Sequence, residues 1–341
     1  MPANSSQTNH TFGRYVAPLA PVALALAMNL APSNRNPTPT ESAAPIVING
    51  VTIEAQECED NIADFQACHE DYPTGCSKAG GYDPYLNYLK NLTPTSATGI
   101  NFLDQSAFDT LNSGTPTDLG KGNNHATYKD QLSQMGEGKQ FGLVGYLYYY
   151  EHTAAESSNC DLIGPDGQWS NVDFHIGIGF DQTLTSQVNS ANPSKPPKAL
   201  QQNSVIVEMT PHYRAQFDPT AWTLDNLQPA LGHKVRIVGQ LLVDSEHNKP
   251  ADNCALANKT AKCWRYSIWE LHPVTSFQYC ADDSCTEASG AWIPIGGGSN
   301  AQAGAGSSGG ASQTPAGSES IHKPRGSTHT AEPRSGSAAQ P

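Results

Sequence analysis

Val172-Asp173-Phe174-His175-Ile176-Gly177-Ile178-Gly179-Phe180 is the most sharply alternating stretch of the chain. Val172, Phe174, Ile176, Ile178 and Phe180 fall on one side, with Asp173, His175, Gly177 and Gly179 on the other. That is the period-two pattern of a strand with one buried face. Working outward, residues 141–150 form a long aromatic and aliphatic run interrupted by Gly145. Residues 204–210 set Val205, Val207 and Met209 against Ile206 and Glu208, and residues 235–244 and 264–280 supply a fourth and a fifth strand. Between the third and fourth, Asp218-Pro219 opens a short helical pattern over residues 217–231 that carries Trp222, Leu224 and Leu227. Val144-Gly145-Tyr146-Leu147 is echoed by Val238-Gly239-Gln240-Leu241, and a glycine in mid-strand predicts a bulge or sharp bend.

Three strands, a helix and two further strands resemble the OB-fold, the five-stranded Greek-key barrel. The expected fold class is therefore mainly β: an OB-like five-stranded barrel over residues 136–295, with a helix between strands three and four. A small helical and loop region containing cysteines is expected over residues 46–135. There Asp83-Pro84 reads as an N-cap followed by proline at the first helical position, ahead of Tyr85, Leu86, Tyr88 and Leu89. Val207-Glu208-Met209-Thr210-Pro211 and Trp269-Glu270-Leu271-His272-Pro273-Val274 are also similar to segments of an uncharacterised bacterial exported protein family, a resemblance that implies no activity.

Composition separates this core from its ends. The chain has 341 residues, of which only 37% are hydrophobic, and it carries 30 Gly and 25 Pro. From Gly296 onward it is mostly Gly, Ser, Ala, Thr, Gln and Pro with scattered charge and no Phe, Trp or Tyr, which predicts a disordered tail over residues 296–341. Residues 1–45 read as a signal peptide and proline-rich linker: an uncharged run from Val16 to Ala31 follows Arg14 and holds small-x-small patterns. That run is shorter than the about 20 residues a membrane span needs, so no transmembrane span is expected. The eight cysteines agree with export to an oxidising compartment, secreted or periplasmic. Spacing suggests Cys254–Cys263, Cys280–Cys285 and Cys68–Cys76 as local staples, leaving Cys58 and Cys160.

A net charge of −13 disfavours nucleic acid as a partner, because a basic groove is what such binders present. There is no Walker A, HExxH or CxxC motif, no GxGxxG follows a strand, and no GxSxG stands outside the Gly/Ser-rich tail. What the OB-like order implies instead is convergence, since its first strand pairs antiparallel with the second and fourth while its third and fifth run parallel. Glu151, His152, Asp173, His175, Glu208, His212, Glu270 and His272 are then expected at one rim, with the turn Asp244-Ser245-Glu246-His247 at the opposite pole.

Two functions fit that set. One is a binding domain for a ligand, glycan, peptide or protein, presenting Tyr148 and Asp173 with His175 on an exposed face. The other is a metal-dependent hydrolase in which His175, Glu208 and His272 hold a divalent ion, zinc or manganese, and Glu270 or Asp173 takes the proton. The phrase around Glu208 is similar to the hydrophobic-Asp-Thr-Pro phrase of staphylococcal-nuclease-like phosphodiesterases, which implies a metal-carboxylate role for Glu208. It departs from them in lacking a preceding Gly-Asp-Thr and in carrying Asn203 where an arginine would stand. The blander alternative for Glu208 is an ion pair with Arg214, Arg236 or Arg265, and for Asp173 and His175 a solvated strand face.

Overall fold

The computed structural model describes residues 45–94, 99–167, 169–217, 219–256, 262–288 and 290–297. The chain divides into two units, Met1–Pro45 and Ile46–Pro341, and the described elements all belong to the second. The leader expected over residues 1–45 and the tail expected from residue 296 lie outside the described residues, apart from positions 45, 296 and 297.

Local chemistry sets the first elements. Strands β1 (Ile46–Ile48) and β2 (Val51–Ile53) form a hairpin across Asn49-Gly50, whose φ angles are 51° and 83°, the left-handed pair that a two-residue hairpin turn requires. Helix α1 (Phe65–Asp71) is capped by Asp64, which accepts from the Ala67 amide. Helix α2 (Pro84–Lys90) starts as its sequence predicts: Asp83 accepts from the Tyr85 and Leu86 amides, and Pro84 occupies the first turn. Strand β3 (Phe102–Leu103) leads to α3 (Gln105–Gly114), capped by Asp104, and α4 (Lys129–Met135) ends on Gly136 at φ 115°.

The long strands follow: β4 (Gln140–His152), β5 (Phe174–Gly179), β6 (Ser204–Met209), β7 (Lys234–Val243) and β8 (Trp269–Cys280), with short β9 (Ile293–Pro294). Helix α5 (Lys198–Gln202) precedes β6 and α6 (Pro211–Phe217) follows it. The fold is mainly β. Strands β3 to β9 make one mixed seven-stranded sheet in the order β3-β4-β5-β6-β8-β7, with β9 on β8 and an additional β4–β7 pairing that partly closes a ring. β4 runs antiparallel to β5 and β7, while β6 meets β8 in parallel through the single pair Val207 and Leu271. That one-pair junction is the thin point of the ring.

Several expectations are corrected. The sheet has seven strands rather than five, because β3 and β9 add two residues each, too few to leave a periodic signal. The helix after the third strand begins at Pro211 and not near Asp218, a position outside the described residues; a 3-10 turn over Asp225–Ala230 then buries Leu227 in the core. The expected bulge at Gly239 coincides with a register shift against β8. In β4 the shift falls between Leu147 and Tyr149 instead of at Gly145. Phe108, Leu111, Leu119 and Leu132 pack with Ile176, Val207, Ile237 and Leu271 in one core cluster.

All four disulfides are formed. Cys254–Cys263 and Cys280–Cys285 are the local staples expected. Cys68 pairs with Cys160 and Cys58 with Cys76, which corrects the Cys68–Cys76 pairing: proximity in sequence misled because α1 packs beside the turn that follows β4. No helix among the described residues is long and apolar enough to cross a membrane.

Candidate functional site

Register brings the polar residues together. On the antiparallel β5–β6 pair, His175 stands directly opposite Glu208, and the β6–β8 contact at Val207 and Leu271 sets Glu208 beside His272. Asp173, His175, Glu208, Glu270 and His272 alternate with core residues Phe174, Ile176, Val207, Met209 and Leu271, so they occupy the sheet face turned away from that core. They are buried nonetheless, apart from half-buried His175. Helix α2 covers this side, for Gln240 donates to the Leu89 carbonyl and Asn91 to the Ser158 carbonyl.

The result is one continuous chain of charge. His175 Nε2 lies 2.7 Å from Glu208 Oε1, and His272 Nδ1 lies 3.0 Å from Glu208 Oε2 and 3.2 Å from Glu270 Oε1. Arg265 Nη1 then bridges Glu270 at 3.2 Å and Asp244 at 2.9 Å, and His247 Nδ1 sits 2.6 Å from Asp244. At the other end Asn159 donates to Asp173 Oδ2 at 3.0 Å, and Lys90 pairs with Glu156 at 3.0 Å.

Two sets of potential ligand atoms gather within 4.8 Å of one another, Asp173 with Glu208 and His272, and Glu156 with His175 and Glu208. The predicted metal ligands His175, Glu208 and His272 are thus brought together, but divided over two groups that share Glu208. Both Glu208 oxygens approach imidazole nitrogens without accepting a well-directed hydrogen bond. Asp173 Oδ1, Thr210 Oγ1 and His272 Nε2 also have no partner. Unsatisfied buried polar atoms are rare and costly, and here five of them, counting both Glu208 oxygens, belong to residues within or beside one ligand group.

The environment polarises these groups in opposite directions. Burial alone would raise the Glu208 carboxyl, but the charges on His175 and His272 hold it well below the usual carboxylate range. Burial alone would lower His272; the Glu208 carboxylate overrides it and lifts the ring to about 10. His175 is raised for the same reason. Asp173 is pushed up to about 7 by burial and by the Glu156 charge, and Glu270 is raised by burial and by Glu208 and Asp244.

Three expectations change here. The Asp244 turn is not at an opposite pole: β8 begins at Trp269, so Glu270 and His272 lie at its start, opposite the end of β7 where Leu242 pairs with Glu270. Tyr148 is not exposed. It is 1% accessible because its ring fills the space over Gly179, and its hydroxyl donates to the Asp181 carbonyl at 2.6 Å. Asp173, the other expected binding residue, is equally buried at 1%. The proposed arginine pairings for Glu208 also fail, since Arg214 stacks on Phe174 at 3.7 Å, Arg236 donates to Gln278, and Arg265 serves Asp244 and Glu270. Glu151 and His152 sit at the end of β4, where Glu151 faces His175 across the β4–β5 ladder.

Sequence reasoning missed Lys90, Glu156, Asn159 and His69. Lys90 did carry a signal: it ends a helix whose residues from Tyr85 onward are all buried, and a lone lysine on such a helix calls for a buried partner. A cavity of about 420 Å³ lined by Lys90, Glu156 and Glu246 reaches the network at Glu156. A second, of about 400 Å³, is lined by Phe65, His69, Asn91, Thr93, His212 and Gln216, among others. Its two histidines meet edge to face with ring centroids 4.3 Å apart. Burial holds both neutral, lowering His69 to about 4 and His212 to about 2. Compared with known proteins, this chain matches no family model and no curated sequence.

Proposed function

We propose that this chain is an exported, OB-like ligand-binding domain that holds a divalent cation, zinc or manganese, between Asp173, Glu208 and His272. One observation carries the reading: three buried side chains offer ligand atoms within 4.8 Å of one another, and Asp173 Oδ1 and His272 Nε2 have no other partner. Two carboxylates and an imidazole suit a borderline cation. A cation there would take over the compensation of Glu208 that protonated imidazoles otherwise provide, so its uptake releases protons. The strand order supports the OB-like reading, with the third and fifth long strands parallel and the first antiparallel to the second and fourth. The four disulfides support the oxidising compartment, secreted or periplasmic.

The binding partner is a ligand, glycan, peptide or protein, for the acidic balance still argues against nucleic acid. Hydrolysis ranks lower. Glu270 is engaged by His272 and Arg265 and Asp173 by Asn159, and both are buried, so neither general-base candidate meets a substrate. Equilibrium dialysis of the full chain against Zn²⁺ and Mn²⁺ tests the cation. The expected result is about one tightly held ion, with Glu208→Gln or Asp173→Asn weakening it at least about 10- to 100-fold. Equal uptake by these variants, folded by circular dichroism, contradicts the site.

A further inference from the structure

The two histidines of the second cavity lie outside the network just described, and nothing in the cation reading uses them. His69 comes from α1 and His212 from α6. His212 is only 4% exposed, and neither of its nitrogens makes a well-formed hydrogen bond; the Leu92 backbone is only a loose neighbour. His69 is approached by Asn159 and the Ser158 backbone, and its Nε2 has no partner. Both rings line the same cavity of about 400 Å³, and their centroids are 4.3 Å apart at an interplanar angle of 60°. Packing alone explains a buried aromatic pair but not three partnerless imidazole nitrogens, each a polar atom that costs stability when left unsatisfied.

We propose that His69 and His212 form a second metal site, separate from the carboxylate-rich one, that takes a late transition-metal ion of the copper(II) or zinc(II) class. The chemistry selects that class. Two neutral imidazoles are intermediate-to-soft donors favoured by copper and zinc, whereas calcium and magnesium demand oxygen ligands. An anion is a poorer occupant, because it would require protons on rings that burial keeps neutral. The cavity leaves room for water or a ligand donor to complete the coordination shell, and Glu70 stands on its wall. The site is therefore open, as sites that bind an exogenous ligand through a metal must be. Asn159 touches both regions, approaching His69 and donating to Asp173, so a metal at the histidine pair would sit one residue away from the carboxylate site.

The test uses the full, disulfide-intact chain with copper(II) as the probe, followed by electron paramagnetic resonance and competition with zinc. One equivalent of copper is expected to show nitrogen hyperfine structure from two imidazoles. His212→Phe and His69→Ala should each weaken that binding about 10- to 100-fold, whereas Glu208→Gln, which removes the carboxylate site, should leave it unchanged. Should His212→Phe fail to fold, His69→Ala decides alone, because His69 is only half-buried. An unchanged copper spectrum and affinity in the histidine variants would overturn the proposal, as would the absence of copper uptake by the wild-type chain. Loss of copper in Glu208→Gln but not in His69→Ala would assign the metal to the first site and reject the second.

Discussion

Asp173 shows how much one side chain can report. Its neighbours are Asn159, which donates to it, the carboxylates Glu156 and Glu208, and the cations Lys90, His272 and Arg214. Burial first and Glu156 second raise it to about 7, so in the metal-free fold it keeps a proton that the unfolded chain releases near pH 4. An acid raised in this way favours unfolding as pH climbs from about 4 to about 7, with a slope of up to about 1.4 kcal/mol per pH unit. In metal-free protein, Asp173→Asn should remove that part of the loss, read as a smaller drop in urea midpoint between pH 4.5 and 7. Parallel midpoints for wild type and variant would mean that Asp173 ionises freely in the fold. Arg265 has the reverse character: burial alone would lower it, but Asp244 and Glu270 hold it charged, and it carries charge from the β7 turn to β8.

Strand β5 is the element the rest is built on, and its core-facing side was legible. Its alternation placed Phe174, Ile176 and Ile178 in the core; the pairing of His175 with Glu208 is set by the β5–β6 register, which one strand's pattern does not carry. The glycines on its other face have a purpose that alternation did not reveal. A Cβ at Gly179 would fall within the Tyr148 ring, and one at Gly177 within Tyr149, so the two tyrosines of β4 lie across bare backbone. Gly179→Ala should cost about 1 to 3 kcal/mol of stability through forced displacement of Tyr148; a chemical-denaturation midpoint equal to wild type would contradict that packing. Helix α2 was legible too, because Asp83-Pro84 is a local signal. The covering layer was not. Lys90 and Glu156 are 66 residues apart, and Cys68 and Cys160 are 92 apart; such pairings follow from tertiary packing and leave no periodic trace. The turn at Asp244 was misplaced for a simpler reason, a strand read as starting at Trp264 that begins at Trp269.

At the scale of the whole molecule, a partly closed ring of strands carries its apolar core on one face and a buried line of charge on the other. The Cys68–Cys160 bridge ties α1 to the loop that holds Glu156 and Asn159 over that line. Closing a loop of that length is worth about 4 to 5 kcal/mol in the chain-entropy description, enough to keep the covering segment in place over charges that would otherwise favour hydration. Burial of the four carboxylates Asp173, Glu208, Asp244 and Glu270 among His175, Arg265, His272 and Lys90 stabilises little on balance, which is in keeping with the cation site proposed above. The decisive measurement is an anomalous difference map, collected at the zinc absorption edge from crystals of the full chain grown with zinc. The expected result is a peak about 2.0 to 2.2 Å from oxygens of Asp173 and Glu208 and a nitrogen of His272. A map without density among those three residues, with Glu208 still bracketed by the two imidazoles, would contradict it.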